Sequence, residues 1–505
     1  MFDKIIFFTT LLLLGNTSLF AQKWDYNWVV GSSFAGLVTG ASVINFEKTP
    51  PDTARFDFQT EFSFTGVAWV SNADGQLQAY SNGCVVNNRE HGTMLNGAGL
   101  NPGKVYDYYC PRYGYPYSGI LLLPLPGSAN RFGLFSISRY QTNTPGDLLY
   151  SEIDMSGDGG LGAVTLKNQA VIVDSLADQI NACRHANGRD WWILTPRNNS
   201  KRFYLTLYDS SGVQTPREIE TGPAWDDRYY NGQVLFSPDG TMFARANPYN
   251  GTDIYAFDRC TGALEHALHL PFPADTVVAC GLAFSPDSRF LYYSLLANIW
   301  QIDLHAADPM ASLTKVAEYD GFVSLFPTRF YEMLLGPDGK IYIGCTNGVN
   351  VFHVIHQPNE LGAACMLEQH GFYIPSYYLG RMPNMPNYRL FDAEGTECDS
   401  LGIDGYTAAW VPPVNYGLPA VSVFPNPVTP GEPLRFVLNR TYASVAAVYF
   451  YDLSGRLLER VGWPEGATAF QWPAPAGSGM VFYKIASAEG RVLQTGKVVL
   501  LASGQ

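Results

Sequence analysis

The side chains best suited to chemistry are four histidines in two His-x-x-His pairs, His266/His269 and His353/His356. Imidazole nitrogen is a common zinc ligand, so each pair could hold a metal. The flanking residues are strand-like, however, and side chains three apart on a strand point to opposite faces. The sequence therefore predicts hydrogen-bonded or solvated histidines and no metal site.

Residues 157–162 spell Gly-x-Gly-x-x-Gly after a strand-like run. A dinucleotide site also needs a helix to follow, and residues 163–173 are β-branched and strand-like instead. A calcium loop over Asp154, Ser156 and Asp158 fails at its twelfth position, where Thr165 stands in place of the required glutamate. The segment is predicted to be a turn.

Other catalytic signatures are missing from the sequence. It contains no Gly-x-Ser-x-Gly elbow, no His-Glu-x-x-His, no Cys-x-x-Cys and no phosphate-binding loop. His185 and Asp190 flank an Asn-Gly turn, where a structural pairing is expected rather than acid–base work. We assign no catalytic residue, metal or cofactor. The formal net charge of −13 also argues against a nucleic-acid partner.

Six tyrosines crowd a loop that contains proline and glycine. Tyrosine gives binding surfaces a flat apolar face with a polar tip at low entropic cost. Two interpretations stay open: a contact surface for a protein or glycan, or rings that pack against a neighbouring sheet. The candidate residues are Tyr106, Tyr108, Tyr109, Tyr113, Tyr115 and Tyr117.

Eight cysteines follow the N-terminal segment, which permits disulfides in an exported protein. Cys260/Cys280 and Cys345/Cys365 are each 20 residues apart and are the favoured pairs. The alternative is that cysteines remain buried as small hydrophobic thiols.

The elements that would position these residues are β-hairpins. An apolar run, a Pro-Asp-Gly or Pro-Asp-Ser turn and a second apolar run occur three times, with prolines at 238, 286 and 337. Proline and glycine fit such turns, and a third apolar run follows each hairpin. A period near 50 residues with three or four short strands is typical of a propeller blade. We predict an all-β fold, a six- or seven-bladed β-propeller over residues 22–390, with Phe236, Phe284 and Leu335 buried between sheets.

The two ends of the chain have other compositions. Residues 1–21 have a basic start and a short apolar core, which predicts a signal peptide. Residues 391–420 are rich in proline and glycine and are predicted to be a linker. Residues 421–505 alternate short apolar runs with turns, as in a small Ig-like β-sandwich. No run is long enough for a transmembrane helix.

Particular motifs carry resemblances to known families. The Ser-Pro-Asp-Gly hairpins resemble WD-repeat-like and Tol-B-like propeller blades of bacterial envelope proteins. Together with the segments at 185–190 and 357–365, they resemble large surface propellers of gliding-type Gram-negative bacteria, and that family implies no established catalytic residues. The C-terminal unit resembles the sorting domain of the type IX (Por) secretion system, through a motif set that includes Pro425, Asn426, Pro427, Gly455 and Lys497.

These resemblances imply an export route and a class of function. The C-terminal unit is expected to be an address for the type IX machinery, which would carry the chain across the outer membrane to the cell surface or the medium. We expect a binding or interaction module for an unknown surface protein or glycan. The alternative is an enzyme, a glycan lyase or hydrolase that uses the central cleft. Clustered carboxylates at the axis would favour the enzyme, and a flat aromatic face would favour binding.

Overall fold

The protein is described by a computed structural model that divides into two compact units, Met1–Trp410 and Val411–Gln505. The structure describes residues 22–32, 40–57, 67–111, 114–116, 119–142, 144–227, 232–272, 279–346, 348–379, 381–393, 395–401, 421–424, 428–429, 432–438, 445–452, 456–464, 467, 469–473, 479–487 and 492–500. The predicted signal peptide lies outside them. Among the described residues, no helix has the length and hydropathy needed to cross a bilayer.

The first unit begins with an antiparallel three-stranded sheet and a mixed eight-stranded sheet, in which the pairing of β7 with β11 is parallel. The first sheet contains β1 (Asn27–Ser32), β2 (Gly40–Asn45) and β3 (Asp52–Phe56). The second contains β4 (Ala68–Ser71), β5 (Leu77–Ser81), β6 (Val85–Asn88), β7 (Thr93–Ala98) and, after helix α1 (Lys104–Tyr109), β8 (Ile120–Pro124), β9 (Arg131–Gln141), β10 (Thr144–Asp154) and β11 (Ala163–Ile172). It consists of two four-stranded meanders joined through a single pairing between Leu95 and Ala163.

Four further sheets follow in chain order. The five-stranded sheet contains β12 (Asn181–Arg184), β13 (Trp191–Pro196), β14 (Arg202–Asp209), β15 (Gly212–Val213) and β16 (Arg217–Glu220). The next two are β17 (Val234–Phe236), β18 (Met242–Asn247), β19 (Gly251–Phe257), β20 (Leu264–Leu270), and β21 (Gly281–Phe284), β22 (Phe290–Leu295), β23 (Asn298–Asp303), β24 (Thr314–Glu318). The last contains β25 (Phe330–Leu335), β26 (Ile341–Cys345), β27 (Gly348–Ile355) and β28 (Leu367–Leu379).

The predicted hairpins form as expected. In all three copies the residue after Asp has a positive φ, 74° at Gly240, 61° at Ser288 and 77° at Gly339. The first strands of neighbouring sheets contact one another, as β17 contacts β21 and β21 contacts β25, and together they line a central channel. The arrangement is β-propeller-like.

The core lies between adjacent sheets. Phe236 packs with residues of β12–β14, and Phe284 packs with Ala244 and Ala246 of the preceding sheet. Both phenylalanines are buried, whereas Leu335 is half-buried against its neighbours. The prediction therefore holds at Phe236 and Phe284, whereas the predicted burial of Leu335 is only partial.

The favoured disulfides were wrong. The structure bonds Cys84 to Cys110 and Cys260 to Cys398, and it buries the remaining four cysteines, Cys183, Cys280, Cys345 and Cys365, as free thiols. The physical reason is strand direction: one full strand, β20 or β27, lies between the members of each favoured pair, and Cys260 and Cys280 also belong to neighbouring sheets. The alternative of buried thiols holds for these four.

The start of the predicted linker packs onto the first unit. The Ala393 N–H donates to the carbonyl of Ala186 at 2.8 Å, and Arg259 donates to the carbonyl of Phe391. The Cys260–Cys398 disulfide adds a covalent bond. Residues 402–420 lie outside the described residues.

The second unit contains two antiparallel sheets. One contains β29 (Val421–Phe424), β30 (Pro433–Leu438) and β33 (Ala469–Pro473), and the other contains β31 (Val445–Tyr451), β32 (Leu457–Gly462), β34 (Gly479–Ser487) and β35 (Val492–Leu500). Buried side chains of both sheets form one cluster, in which Phe450 stacks on Trp472 with ring centroids 3.7 Å apart. This unit therefore has its own core.

Candidate functional site

Chain direction places the loops of the first unit on two faces. The Pro-Asp turns join first strands to second strands and define what we call the turn face. The loops that lead into the first strands, and the turns between second and third strands, define the opposite entry face. The tyrosine segment precedes β8 and thus belongs to the entry face.

The candidate tyrosines that the structure describes do not form one surface. The Cys84–Cys110 disulfide anchors the end of helix α1. Within the helix, Tyr106 and Tyr109 are half-buried against a small cluster that includes Cys84, whereas Tyr108 is 58% exposed. Tyr115 is buried, and its hydroxyl accepts the backbone N–H of Arg139 at 2.8 Å. Burial raises the pKa of Tyr115 to about 12. Tyr113 and Tyr117 lie outside the described residues.

Exposed apolar side chains nevertheless collect on the entry face. Seven of the large exposed hydrophobic residues lie there, and four of them are aromatic: Tyr108, Tyr140, Val173, Tyr249, Val323, Leu325 and Phe326. In the described part of the chain, the turn face exposes Met310, Leu361 and Met366 but no large aromatic residue. The entry face is the more aromatic of the two.

The loop at residues 319–329 is ordered although its apolar tips are exposed. The Tyr319 hydroxyl donates to the carbonyl of Phe322 at 2.5 Å, and Ser324 Oγ donates to Asn350 Oδ1 at 2.7 Å. Asp320 pairs with His370, their Oδ2 and Nε2 atoms 2.9 Å apart. These bonds hold the backbone, and Val323 is 54% exposed while Leu325 and Phe326 are each a little over one-third exposed. Such a loop is suited to contact with another molecule.

Residues 382–389 occupy the central channel. Asn384 donates to the carbonyls of Ile180 and Ile120, at 2.6 and 3.1 Å, and its Oδ1 accepts from Asn181 at 2.8 Å. The Tyr388 hydroxyl donates to the carbonyl of Leu122 at 2.7 Å. This segment, which we call the channel segment, is bonded to β8 and β12 and fills that side of the axis.

Two small cavities remain beside the channel segment. One, of about 80 Å³, has mostly apolar walls from β17, β21 and β25 and includes the ion pair of Asp25 with Arg389, 2.5 Å apart. The other, of about 60 Å³, lies at the entry-face end. We call the second cavity the polar well, because its lining includes Asp178, Gln179, Gln233, Glu332 and Arg381.

The carboxylates that line these cavities are each paired with an arginine. Asp178 pairs with Arg139, and Glu332 Oε1 lies 2.9 Å from Arg381 Nη1. Burial raises the pKa of Glu332, and its arginine opposes that shift. Burial likewise raises the pKa of Asp25 against the opposing effect of Arg389. These are neutralised pairs rather than a pair of carboxyls facing each other across an open cleft.

The histidine geometry differs from the sequence prediction in one pair. A β-bulge in β20 shifts the register between Ile254 and Tyr255, so both His266 and His269 turn toward Asp253. Their ring nitrogens lie 2.8 and 2.9 Å from Asp253 Oδ1. In the other pair His353 is buried, whereas His356 bonds Glu368 at 2.8 Å. No group of three metal-ligating side chains with suitable geometry occurs among the described residues.

Of the five residues named for the sorting motif, Lys497 lies among the described residues. Pro425, Asn426, Pro427 and Gly455 lie outside the described residues. Lys497 lies on β35 and is exposed.

Sequence reasoning missed the channel segment and the polar well. The channel segment could have been recognised from the sequence Met382-Pro383-Asn384-Met385-Pro386, in which two prolines restrict the backbone on either side of an asparagine flanked by apolar residues. The polar well had none, since its lining residues come from separate segments that are far apart in the sequence, such as Val67, Asp178 and Arg381.

Comparisons with known proteins give fold likeness only. No family model and no curated protein matches the chain. A Bacteroides fragilis protein provisionally assigned as a 6-phosphogluconolactonase shares 12% identity over 70% of this chain and 97% of its own, with a TM-score of 0.45. The Pseudomonas aeruginosa periplasmic gluconolactonase shares 14% over 70% and 99%, with a TM-score of 0.39.

A quinonprotein alcohol dehydrogenase-like protein from Bacteroides thetaiotaomicron shares 12% identity over 68% of this chain and 84% of its own, with a TM-score of 0.30. At TM-scores below 0.5, these similarities say nothing about activity.

Proposed function

We propose that the chain is an exported binding protein that captures its ligand on the entry face. The observation that carries this proposal is the set of exposed aromatic and aliphatic side chains on ordered entry-face loops. Exposed apolar patches on a protein surface often mark a contact site for a partner. Tyr108, Tyr249 and Phe326 come from three different loops and represent that surface.

The channel supports binding over catalysis. A glycan lyase or hydrolase would place its acid and base in an open central cleft, whereas residues 382–389 occupy this one. The cavities of about 80 and 60 Å³ are far below the ~300–1,000 Å³ of ligand pockets. The nearby carboxylates are bound to arginines, which leaves them poorly suited to exchange protons with a substrate.

An array of glycans and surface proteins tests the binding proposal. The full chain should capture at least one ligand, and the triple variant Tyr108→Ser, Tyr249→Ser, Phe326→Ser should lose it. A matched control replaces two exposed turn-face side chains, Leu361→Ser and Met366→Ser, and should keep capture. Equal loss in both variants, or capture unchanged by the entry-face variant, would remove the entry face as the binding surface.

The blade number is part of the proposal. We infer seven blades: the β1–β3 sheet, the two halves of the eight-stranded sheet, the five-stranded sheet and the three four-stranded sheets. An experimental structure with six or eight blades would correct it.

We propose that the two ends of the chain direct its export through the type IX system. Residues 1–21 would direct the chain to the periplasm, and residues 421–505 would then be read by the machinery. The compact second unit with its own buried cluster supports a separable role. The mature protein would then act at the cell surface or in the medium.

Truncation and fusion test the export route. A chain that ends at Pro419 should fold its first unit but stay in the periplasm of a host with the type IX machinery. Residues 421–505 fused to an unrelated exported reporter should carry it to the surface or medium. Efficient release of the truncated chain without cell lysis would contradict the sorting role.

A further inference from the structure

The four-stranded sheet of the second unit has one side in the core of that unit and one side turned away from it. Side chains alternate along a strand, and Val481 and Tyr483 of β34 belong to the buried cluster. The residues that alternate with them, Met480, Phe482 and Lys484, therefore lie on the other side, which we call the outer face. Met480 and Phe482 are 38% and 39% exposed.

Strand register extends the outer face across the whole sheet. Residues paired between antiparallel strands share a face, and Phe482 pairs with Tyr451 of β31 and with Lys497 of β35. Tyr451 pairs in turn with Leu457 of β32, which is 49% exposed. One row thus crosses all four strands and is mostly apolar and aromatic. It ends at Lys497, so the outer face includes a residue of the predicted sorting motif.

Two cations lie beside this row. Lys484 and Arg460 both pair in register with Tyr449, one from each neighbouring strand. Lys484 Nζ lies 4.8 Å from the centroid of the Tyr449 ring and 5.8 Å from that of Tyr451, and Arg460 Cζ lies 5.6 Å from that of Tyr449. Contacts with aromatic rings hold the two cations in place but leave their charge in full.

Neither cation forms an ion pair within the part of the second unit that the structure describes. Two acidic side chains of this sheet have other partners: Asp452 pairs with Arg456 at 3.0 Å, and Glu459 accepts from Trp472 Nε1 at 2.8 Å. Residues 421–505 contain seven lysines and arginines against five aspartates and glutamates, a net charge of +2 in a chain whose total is −13. The outer face is therefore a positive surface on the basic part of an acidic chain.

The composition of the outer face favours one class of partner. Aromatic residues, methionine and arginine are the side chains enriched where proteins contact one another. Attraction to an anionic membrane takes a cluster of about 4–8 lysines and arginines, more than Lys484, Arg460 and Lys497 supply. A second copy of the unit would bring the same cations together, which is unfavourable. A protein surface that combines apolar side chains with carboxylates is complementary to this face.

We propose that the second unit docks through its outer face on an acidic, partly apolar surface of a protein of the export machinery. Carboxylates of that protein pair with Lys484 and Arg460, and its apolar side chains cover Leu457, Met480 and Phe482. This inference rests on the proposed export function and adds the docking surface and the chemistry of the partner.

Export of full-length variants in a host with the type IX machinery tests the outer face. Lys484→Glu should lower release to the surface and medium roughly tenfold and leave the chain in the periplasm, because it sets like charges against each other. Phe482→Ser should lower release in the same direction without a change of charge. Resistance of the second unit to limited proteolysis shows that each retained variant is folded.

Two control variants match the charge change. Lys484→Arg keeps the positive charge and should be released like the unaltered chain. Arg435→Glu makes the same reversal at an exposed residue of β30, in the other sheet of the unit, and should also be released normally.

Cross-linking in exporting cells tests the chemistry of the partner. A zero-length carbodiimide joins a lysine amine to a carboxylate. Mass spectrometry should find Lys484 joined to an aspartate or glutamate of a machinery protein, and Lys484→Arg, which lacks the amine, should lose that peptide. Cross-links of Lys484 only to carboxylates of this same chain would contradict the proposal.

The outcomes separate the docking surface from the sorting role. Release of Lys484→Glu and Phe482→Ser at the level of the unaltered chain would overturn the docking surface, while retention of the chain that ends at Pro419 would leave the sorting role standing. Equal retention of Arg435→Glu would also overturn the docking surface. Sedimentation of the purified full chain with phosphatidylglycerol vesicles, if lost in Lys484→Glu, would assign the outer face to an anionic lipid surface instead.

Discussion

The two faces of the first unit are built in different ways. On the turn face one turn recurs: Gly240, Ser288 and Gly339 each donate a backbone N–H to the residue three positions earlier, at 2.8 to 2.9 Å. Among the described entry-face segments, the one before β8 carries a helix and a disulfide, and the one before β25 carries a local hydrogen-bond network. Repetition marks the framework, whereas single-copy segments carry the exposed rings and the polar well.

The largest expected effect comes from removing the channel segment, on which both faces depend. A chain that ends at residue 381 loses the buried Met382 and Tyr388 and the hydrogen bonds of Asn384. Each buried side chain contributes about 1.5–3 kcal/mol, a large part of the ~5–15 kcal/mol that stabilises a domain. We expect no cooperative unfolding transition by circular dichroism. A chain that ends at residue 401 is the control and should melt cooperatively; equal behaviour of the two chains would show that the channel segment is dispensable.

Next in size is a framework substitution between two sheets. Phe284→Ala removes a fully buried ring that packs against Ala244 and Ala246, and it should lower the free energy of unfolding by about 3–5 kcal/mol. Val323→Ala, on the exposed loop and at a side chain that is 54% exposed, is the control and should change it by less than about 0.5 kcal/mol. Urea denaturation measures both. Similar losses in the two variants would mean that the entry-face loop is part of the core.

The framework was predictable because its signals are local. Turn chemistry fixed the hairpins at Asp239 and Asp287, and apolar alternation placed Phe236 and Phe284 in the core. The site was not predictable, because it depends on contacts between distant residues. Asn384 reaches Ile120 across 264 positions, and Cys260 finds Cys398 across 138.

Tyr115 and the histidines show the same limit. The segment around Tyr115 reads as a set of equivalent rings, yet the fold buries that one ring and exposes Tyr108. Strand alternation predicts that His266 and His269 point to opposite faces, but a one-residue bulge brings both to Asp253. Neither a bulge nor a long-range contact can be predicted from the spacing of residues in the sequence.

Acid should weaken the framework through His353. Burial lowers the pKa of this histidine to about 4, so the folded state keeps it neutral while the unfolded chain, with a pKa near 6.5, binds a proton. Stability from this group is complete above about pH 6.5 and is lost as the pH falls toward 4. At about 1.4 kcal/mol per pKa unit the loss is about 3.5 kcal/mol. Urea midpoints for the unaltered chain and for His353→Gln should differ in slope over this window, and parallel curves would contradict the assignment.

The smallest expected effect on stability separates two tyrosines of one segment. Tyr108 is 58% exposed, so Tyr108→Ser should change the free energy of unfolding by less than about 0.5 kcal/mol. Tyr115→Ser instead removes a buried ring and the hydroxyl that accepts the Arg139 N–H, at a cost of about 3–5 kcal/mol. Thermal melts measure both, and ligand capture on the array measures function. If Tyr108→Ser lowers capture while the melting temperature stays unchanged, the entry face is a contact surface. If Tyr108→Ser instead lowers the melting temperature as much as Tyr115→Ser does, the exposed ring is part of the framework. The contrast between the two faces would then not hold at this loop.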